Sequence, residues 1–344
     1  MNITTSLQRV LIFLSILVPG SSIALSQSAE QWFVKGDSLD AIDKPAAAIE
    51  AYSKAIALQP RFVAAFANRA LSKQRVGDIK GAIRDYDSAV VFDPTLSMLY
   101  SNRGTLKAEA NDINGALVDF NEAIRRNPDD VDALANRALI HYRRNDFRAS
   151  VIDYTLAIRL KSDAAVFYSL RARSAYYGGD TSRALSDLDT CLRMDSTQST
   201  ALLFQAQILQ QTGNNVQALR SYDTYVRQNP SDSTVYVVRG SLRKSLGDTT
   251  GALSDFNEVL RRHPFYANAL NSRGVLMLEA KSYKDAQSDF SRALVIDKNN
   301  GMVWFNRGIA NKFLGDTKQA CDDWKKASQL GEENAAEAIK KFCK

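Results

Sequence analysis

The chain is poor in the two residue types that most often bind metals or act as nucleophiles. Its 344 residues include only 2 histidines and 3 cysteines. His141 and His263 lie far apart in the sequence, and no Cys or His spacing matches a metal-binding motif. A glycine-rich phosphate loop following a strand is also missing. These absences predict a protein that is not an enzyme and that holds no metal and no cofactor.

Long hydrophobic runs are missing as well, apart from one near the N-terminus. Arg9 precedes the apolar run from Val10 to Val18, which is followed by Pro19-Gly20 and then by Ala24-Leu25-Ser26. The run falls short of the ~20 residues needed to cross a bilayer. A small-x-small site after a short apolar core is typical of secretory signal peptides. The sequence therefore predicts a signal peptide over residues 1–26, cleaved near Ser26, and an exported mature chain, periplasmic or secreted, without a membrane span. The alternative is an uncleaved membrane anchor.

Neither basic nor acidic residues are in large excess. The 44 basic and 38 acidic residues give a formal net charge of +6 at pH 7, and both signs alternate along the chain. We find no basic run with interleaved aromatic residues, the pattern that follows a phosphate backbone. The charge pattern predicts a solvated surface of mixed charge and disfavours nucleic acid as a partner.

Proline is scarce, and its placement shows how the chain is organised. Consecutive blocks of 34 residues fill the sequence from Ala29 to Asn334, and 5 of the 7 prolines fall at position 32 of a block. These prolines are Pro60, Pro94, Pro128, Pro230 and Pro264. The nine blocks cover residues 29–62, 63–96, 97–130, 131–164, 165–198, 199–232, 233–266, 267–300 and 301–334. A fixed period of this length predicts a repeat architecture.

Four positions of the block carry a shared pattern. Position 4 is large and position 8 is Gly or Ala in every block, whereas position 20 is Ala and position 24 is aromatic in eight of the nine. The exceptions at the last two positions are Ser150 and Leu188. Positions 4 and 8 lie one helical turn apart, as do positions 20 and 24, so the pattern predicts two helices in each block. A Gly-Asp or Asn-Asp step near position 15, as at Gly77-Asp78, marks the turn between them.

This pattern closely resembles that of the tetratricopeptide repeat (TPR) family over residues 29–334. The resemblance implies an all-α fold, a right-handed superhelix of nine helix-turn-helix repeats. In that fold the first helices line a concave groove and the second helices form the convex back. Residues 335–344 are predicted to form a C-terminal capping helix over the last repeat. Because the repeats fill the chain, no stretch of 50 residues is left for a catalytic domain.

Two of the cysteines lie at the C-terminal end. Cys321 falls in the second helix of the ninth block, and Cys343 falls near the end of the predicted capping helix. In an oxidising compartment these thiols could pair and fasten the capping helix, and the alternative is two partly buried free thiols. Cys191 occupies position 27, where six other blocks carry Ala, and is predicted to be a small core residue.

An arginine at position 7 and an aspartate at position 23 occur together in seven blocks, and the first and sixth blocks lack both. The pairs are Arg69 and Asp85, Arg103 and Asp119, Arg137 and Asp153, Arg171 and Asp187, Arg239 and Asp255, Arg273 and Asp289, and Arg307 and Asp323. Paired loss predicts a direct contact between guanidinium and carboxylate that joins the two helices of a block. The alternative is a row of arginines presented to an anionic ligand.

The TPR resemblance implies that first-helix positions 2, 5, 6, 9, 12 and 13 line the groove. Position 6 carries Asn68, Asn102, Asn136 and Asn306, and an amide there can bond the backbone of an extended peptide. The Asn-Arg-Gly and Asn-Arg-Ala strings at these positions resemble the TPR region of O-GlcNAc transferase. The alternative is that Asn is a tolerated polar residue on an exposed face.

Beyond these asparagines the groove positions become apolar or aromatic. The candidate contact residues there are Leu170, Arg173, Tyr176, Tyr177, Leu203 and Phe204. An exposed aromatic cluster is typical of an interaction hot spot, and the alternative is a repacked region in which some of these rings are buried. The sequence thus predicts a non-catalytic scaffold that binds an extended peptide segment or a partner helix of another protein. The second candidate function is a purely architectural subunit of a cell-envelope assembly with an unoccupied groove.

Overall fold

The computed structural model describes residues 27–343, so the predicted signal peptide lies outside the described residues. Within residues 27–343 the regular structure is entirely helical, with 19 α-helices and no strand. The helices form two compact units that divide between Met194 and Asp195. The predicted all-α fold class is confirmed.

Ten helices make up the first unit. They are α1 (Ala29–Ala41), α2 (Pro45–Leu58), α3 (Val63–Arg75), α4 (Ile79–Phe92), α5 (Ser97–Glu109), α6 (Ile113–Arg126), α7 (Val131–Arg143), α8 (Phe147–Leu160), α9 (Ala165–Tyr177) and α10 (Thr181–Met194).

The second unit contains the remaining helices of the described chain. They are α11 (Ser199–Gln211), α12 (Asn215–Gln228), α13 (Ser233–Ser245), α14 (Thr249–Arg262), α15 (Ala267–Glu279), α16 (Tyr283–Ile296), α17 (Gly301–Phe313), α18 (Thr317–Gln329) and α19 (Glu333–Phe342). In both units every block therefore has a first helix beginning at position 1 and a second helix beginning at position 17.

The turn inside each block is made by one left-handed residue followed by a helix cap. All nine residues at position 15 have φ between 58° and 89°, and most of them are Gly or Asn, which tolerate this conformation. The next residue often caps the second helix: Asp248 Oδ1, for example, accepts a hydrogen bond from Gly251 N at 2.8 Å. The Gly-Asp and Asn-Asp steps of the sequence thus end one helix and begin the next.

In the repeats with an aromatic residue at position 24, the core is built where that side chain packs on the small residue of position 8. Tyr86, Phe120 and Phe256 are fully buried at position 24. The approach is close, since a Cβ added at Gly240 would lie 2.7 Å from the Phe256 ring and one at Gly308 would lie 2.5 Å from the Trp324 indole. Position 8 therefore stays small because the ring occupies the space of a side chain.

Each arginine at position 7 joins three helices, not two. Arg103 Nε and Nη2 donate to Asp119 of the same repeat at 2.9 and 2.7 Å, while Nη1 donates to Asp87 of the preceding repeat at 2.8 Å. The other six arginines bond in the same way, with an oxygen acceptor at position 25 of the preceding repeat: Ser53, Asn121, Thr155, Asp223, Asn257 and Ser291. The arginine therefore links both the two helices of its own repeat and the neighbouring repeat.

A second donor at position 11 often reinforces these pairs. Lys73 and Lys107 each place Nζ 2.8 Å from the aspartate that already pairs with the arginine of their repeat. Arg243 Nη1 lies 3.1 Å from both carboxylate oxygens of Asp255, and Asn311 Nδ2 donates to Asp323 at 2.8 Å. These contacts use the arginines and aspartates within the scaffold, which argues against the reading that the arginines are presented to an anionic ligand.

The C-terminal helix α19 packs against the last repeat and is tied to it by a disulfide. Ala335 is buried, and Ala338, Ile339 and Phe342 pack on the cluster that contains Trp324. Cys321 in α18 and Cys343 are joined by a disulfide bond. The helix begins at Glu333 rather than at the predicted Ala335, so its start falls within the last block of the period. Cys191 is fully buried at position 27.

Candidate functional site

The asparagines of position 6 in the first unit lie inside the packing between repeats. Asn68, Asn102 and Asn136 are between 3% and 6% exposed. Asn68 Nδ2 donates to Asp37 Oδ1 at 2.8 Å, and Asn136 Nδ2 donates to Thr105 Oγ1 at 3.3 Å, in each case on the first helix of the preceding repeat. Asn102 Nδ2 donates to the Tyr86 hydroxyl at 3.1 Å. Burial contradicts both the prediction that these amides are accessible to a peptide in the groove and its alternative, a tolerated polar residue on an exposed face.

Small side chains explain why this face is closed. Position 5 is small in all three of these repeats, and positions 2 and 9 are small in one repeat each, so consecutive first helices of the first unit can approach closely. These side chains are buried: Ala64, Ala67, Ser101, Thr105 and Ala135. Through Nδ2 the asparagines bond across the space between helices and so join repeats, while the buried Oδ1 atoms of Asn68 and Asn136 have no hydrogen-bond partner.

The other predicted contact residues remain partly accessible. Leu170 is partly buried and packs on the cluster around Tyr154 and Phe167. In the second unit, Leu203, Phe204 and Asn306 are also partly buried. The predicted group thus divides between the two units.

Four aromatic side chains come together at the ends of α7 and α9 and the start of α8. Tyr142, Phe147, Tyr176 and Tyr177 form this group, which we term the aromatic surface. The Phe147 and Tyr177 rings stack with centroids 5.9 Å apart, and Tyr142 meets these two rings at 5.8 and 6.0 Å. Tyr176 contacts Tyr177 edge-on at 5.4 Å. Tyr177 is 53% exposed, so the cluster reaches the surface of the first unit.

Arginines stand beside the aromatic surface, two of them directly after Tyr142 and Phe147 in the sequence. Arg143 and Arg148 are exposed and Arg173 is partly buried. Burial raises the pKa of the Tyr142 hydroxyl, while the charge of Arg173 acts in the opposite direction. The nearby carboxylates of Asp146 and Asp180 accept hydrogen bonds from backbone N–H groups at helix starts. The surface therefore offers apolar rings next to cations.

Sequence reasoning identified Tyr176 and Tyr177 but missed their two neighbours. Tyr142 occupies position 12 of the fourth block, as Tyr176 does in the fifth, so a comparison of position 12 between blocks would have found it. Phe147 stands at position 17, which is not a groove position of the family. Its role follows from its stacking on the first helix of the next repeat.

Family comparison agrees with this architecture. Models of the tetratricopeptide repeat match residues 102–165, 169–233 and 237–301, and another model of the same repeat matches residues 29–62. These matches cover more than half of the chain. The chain belongs to the tetratricopeptide repeat family. TPR proteins generally mediate interactions between proteins.

Solved TPR structures share the fold at low sequence identity. The C-terminal part of a TPR repeat-containing protein from Cytophaga hutchinsonii is 16% identical, with a TM-score of 0.62 over 70% of this chain and 98% of that chain. The pilF protein of Pseudomonas aeruginosa is 15% identical, with a TM-score of 0.50 over 60% of this chain and 94% of that chain. No curated protein matches the sequence significantly.

The second unit of this TPR protein has a cavity of about 480 Å³ between α13 and α15. Lys244 and Glu279 form an ion pair of 2.7 Å at its wall. Asn271 also lines the cavity, and its buried Oδ1 has no hydrogen-bond partner. A buried acceptor of this kind can take an N–H donor from a ligand. Asn271 stands at position 5, a groove position of the family, next to position 6, which carries the asparagines of the other repeats.

The described residues show no centre for metal chemistry. Across residues 27–343 no group of three or more His, Cys, Asp or Glu side chains is placed to hold a metal ion. His141 Nδ1 lies 3.6 Å from Asp146 Oδ2 at the turn between α7 and α8. In the same part of the chain, none of the helices has the length and apolar character needed to cross a membrane.

Proposed function

We propose that this TPR protein is a non-catalytic scaffold that binds an extended segment or a helix of a partner protein. The observation that carries the proposal is the aromatic surface of Tyr142, Phe147, Tyr176 and Tyr177, which stands beside exposed arginines. The face bearing Asn68, Asn102 and Asn136 no longer supports a peptide site, because those amides are buried.

The physical case rests on the residue types and on their mutual support. Tyr and Arg are enriched among the residues that dominate binding energy at interfaces. A ring already held by its neighbours loses little conformational freedom on binding, and covering it removes apolar area from water. Tyr177 is supported by contacts with the three other rings. The aromatic surface is therefore preorganised for binding in the free protein.

A matched pair of variants tests this function. Tyr177→Ala removes the exposed ring, whereas Ile152→Ala removes an exposed apolar side chain of α8 that lies outside the aromatic surface. Partners are captured from cell extract with each purified protein, identified by mass spectrometry, purified and titrated against both variants. We expect the Tyr177 variant to bind roughly tenfold more weakly or worse, with unchanged circular dichroism, and the Ile152 variant to bind normally.

The second candidate function, an architectural subunit of a cell-envelope assembly, is favoured by a different observation. Val118 and Ile152 occupy position 22 of consecutive blocks and are both exposed on second helices. If binding of the purified partner is lost in Val118→Ala and Ile152→Ala but kept in Tyr177→Ala, the second helices are the contact surface. That outcome would replace the scaffold proposal by the architectural one.

We also propose that the protein is exported to the periplasm or secreted. The signal-like pattern of residues 1–26 supports this, and so does the Cys321–Cys343 disulfide, since such bonds persist mainly in oxidising compartments. Cell fractionation and N-terminal sequencing test the proposal. A mature protein outside the cytoplasm that begins at Gln27 is expected, and a cytoplasmic protein that retains residues 1–26 would contradict it.

A further inference from the structure

A second stacked aromatic pair in the other unit repeats the construction of the aromatic surface. Tyr283, the first residue of α16, stacks on Phe313, the last residue of α17, with ring centroids 4.7 Å apart and an interplanar angle of 8°. Phe147 and Tyr177 are likewise the first residue of α8 and the last residue of α9. In both pairs the second helix of one repeat begins against the end of the next repeat's first helix.

The two pairs are related by the period of the sequence. Tyr283 follows Phe147, and Phe313 follows Tyr177, by four whole blocks, so both pairs occupy position 17 of one block and position 13 of the next. The other adjacent blocks do not carry aromatic residues at both positions: Ile79 is followed by Glu109, for example. The stack is therefore a feature of two places in the array and not of the repeat itself.

Both pairs present one ring in the same way. The inner ring of each stack, Phe147 or Tyr283, is partly buried. The outer ring is exposed, to 53% in Tyr177 and to 55% in Phe313. An outer ring fixed by a stacked inner ring offers apolar area at a low entropic cost. The exposed ring of Phe313 in the second unit is thus equivalent to the exposed ring of Tyr177 in the first unit.

Lysines outnumber carboxylates next to the second pair, since Lys281, Lys284 and Lys312 are accompanied by Glu279 and the exposed Asp285. Lys312 Nζ lies 5.3 Å from the centroid of Phe313, and Lys281 and Lys284 are exposed on either side of Tyr283 in the sequence. The acidic Glu279 nearby is paired with Lys244 at 2.7 Å. Carboxylates of a ligand would meet attractive charge here, and ammonium groups would meet repulsion.

We propose that Tyr283 and Phe313 form a second docking point, of the same construction as Phe147 and Tyr177, for an acidic linear segment of a partner protein. The segment places an aromatic or aliphatic side chain on the exposed ring, and flanking Asp or Glu residues pair with the lysines or arginines. The inference rests on the proposed scaffold function. It adds that each unit holds one such segment and that the segment is acidic.

A synthetic peptide provides the probe. It has about nine residues, with Phe at the centre and Glu on both sides, and a matched peptide carries Lys in place of Glu. Isothermal titration calorimetry of the full chain at low ionic strength measures the number of peptides bound. The variants are Tyr177→Ala, Phe313→Ala, the double variant and Phe265→Ala, which removes an exposed ring from a loop of the second unit. Circular dichroism checks that each variant is folded.

We expect two acidic peptides per chain in the wild type and in Phe265→Ala, one in each single variant and none in the double variant. Each lost site should weaken by roughly tenfold or more. One peptide per chain, lost in Tyr177→Ala and kept in Phe313→Ala, overturns the second docking point and leaves the proposed function standing. One peptide with the reverse dependence overturns the site proposed in the first unit. Equal binding of the Lys peptide refutes the acidic partner, and failure of the acidic peptide to bind the wild type overturns both docking points.

Discussion

Arg137 holds Asp153 through two parallel hydrogen bonds, Nε to Oδ2 at 2.8 Å and Nη2 to Oδ1 at 2.7 Å. The third guanidinium nitrogen, Nη1, donates to Asn121 of the preceding repeat at 2.7 Å. Because the Asp153 side chain is only 4% exposed, each charge depends on the other to offset its loss of water. The pair therefore couples the two helices of one repeat and the neighbouring repeat through a single side chain.

Removing Asp153 alone should cost more than removing both partners. We expect Asp153→Leu to lower the free energy of unfolding by about 3 kcal/mol, because Arg137 is left partly buried without its counter-charge. Adding Arg137→Met should recover part of that loss. A double-mutant cycle by urea unfolding measures the coupling, and the exposed pair of Glu122 and Arg125 serves as a control with coupling near zero. Additive losses at Arg137 and Asp153 would show that the contact is not coupled.

Alanine at Gly308 should be destabilising even though alanine is normally the better helix former. The added Cβ would lie 2.5 Å from Nε1 of the buried Trp324. We expect a loss of about 1–3 kcal/mol, the usual range for overpacking a core. Gly104→Ala is the matched comparison, since its Cβ would meet Phe120 at the longer distance of 3.0 Å. Thermal unfolding should rank Gly308→Ala as the more damaging change, and a stabilised Gly308 variant would contradict the packing argument.

Glycine at position 281 should stabilise the protein. Lys281 has φ of 61°, a left-handed conformation that is costly for a lysine and is taken by Gly in five other repeats. Lys281→Gly should raise the free energy of unfolding by about 0.5–1 kcal/mol. The control is Lys284→Gly within α16, where the same change should be destabilising by a similar amount. Chemical denaturation measures the change in the free energy of unfolding of both variants. A decrease in both would argue against backbone strain at Lys281.

Replacing Asn102 should destabilise the array, since its amide serves the scaffold. Asn102 Nδ2 donates to the hydroxyl of Tyr86, a buried side chain whose pKa is raised by its burial. Asn102→Ala should cost about 1–2 kcal/mol, because the Tyr86 oxygen loses its donor. The partly buried Asn306 occupies the same position in the last repeat, and Asn306→Ala should change stability by less than about 0.5 kcal/mol. Equal small effects on denaturant midpoints would mean that Asn102 is dispensable for packing.

Reduction of the disulfide should loosen the C-terminal helix before the rest of the chain. Cys321 and Cys343 are 22 residues apart, and closing a loop of this size contributes about 3 kcal/mol in the chain-entropy account. Hydrogen exchange should therefore accelerate in α19 when a reductant is added, with little change in α17. The variant with both Cys321→Ser and Cys343→Ser should exchange fast with or without reductant. Unaltered protection of α19 after verified reduction would show that apolar packing alone holds the helix.

Local sequence signals predicted the helices well. Residues such as Gly247 and Asp248 end one helix and begin the next through contacts within a few positions, so a single chain segment contains the whole signal. The Arg–Asp contacts could also be predicted, because the nine blocks of this one sequence can be compared with one another. The third contact of each arginine was missed, although position 25 carries an oxygen-bearing side chain in the first eight blocks and Lys325 in the ninth.

The candidate site was predicted less well, for a physical reason. Asn68 and Tyr177 both stand at groove positions of the family, yet the first is buried and the second is half exposed. Their exposure depends on how closely the neighbouring first helix approaches, which is set by the side chains of another repeat. The residue pattern of one block therefore does not predict the distance between the first helices of neighbouring repeats.

The sequence by itself determined the period, the two helices of each block and the membership of one repeat family, because helix caps, turns and one-turn spacings act over a few residues. Only the tertiary structure decided which faces are open. It closed the asparagine face through the approach of small side chains in successive repeats, and it stacked Phe147 on Tyr177 to form a surface. The burial of a side chain depends on its own helix and on the helix packed against it, so it is determined only when the repeats pack together.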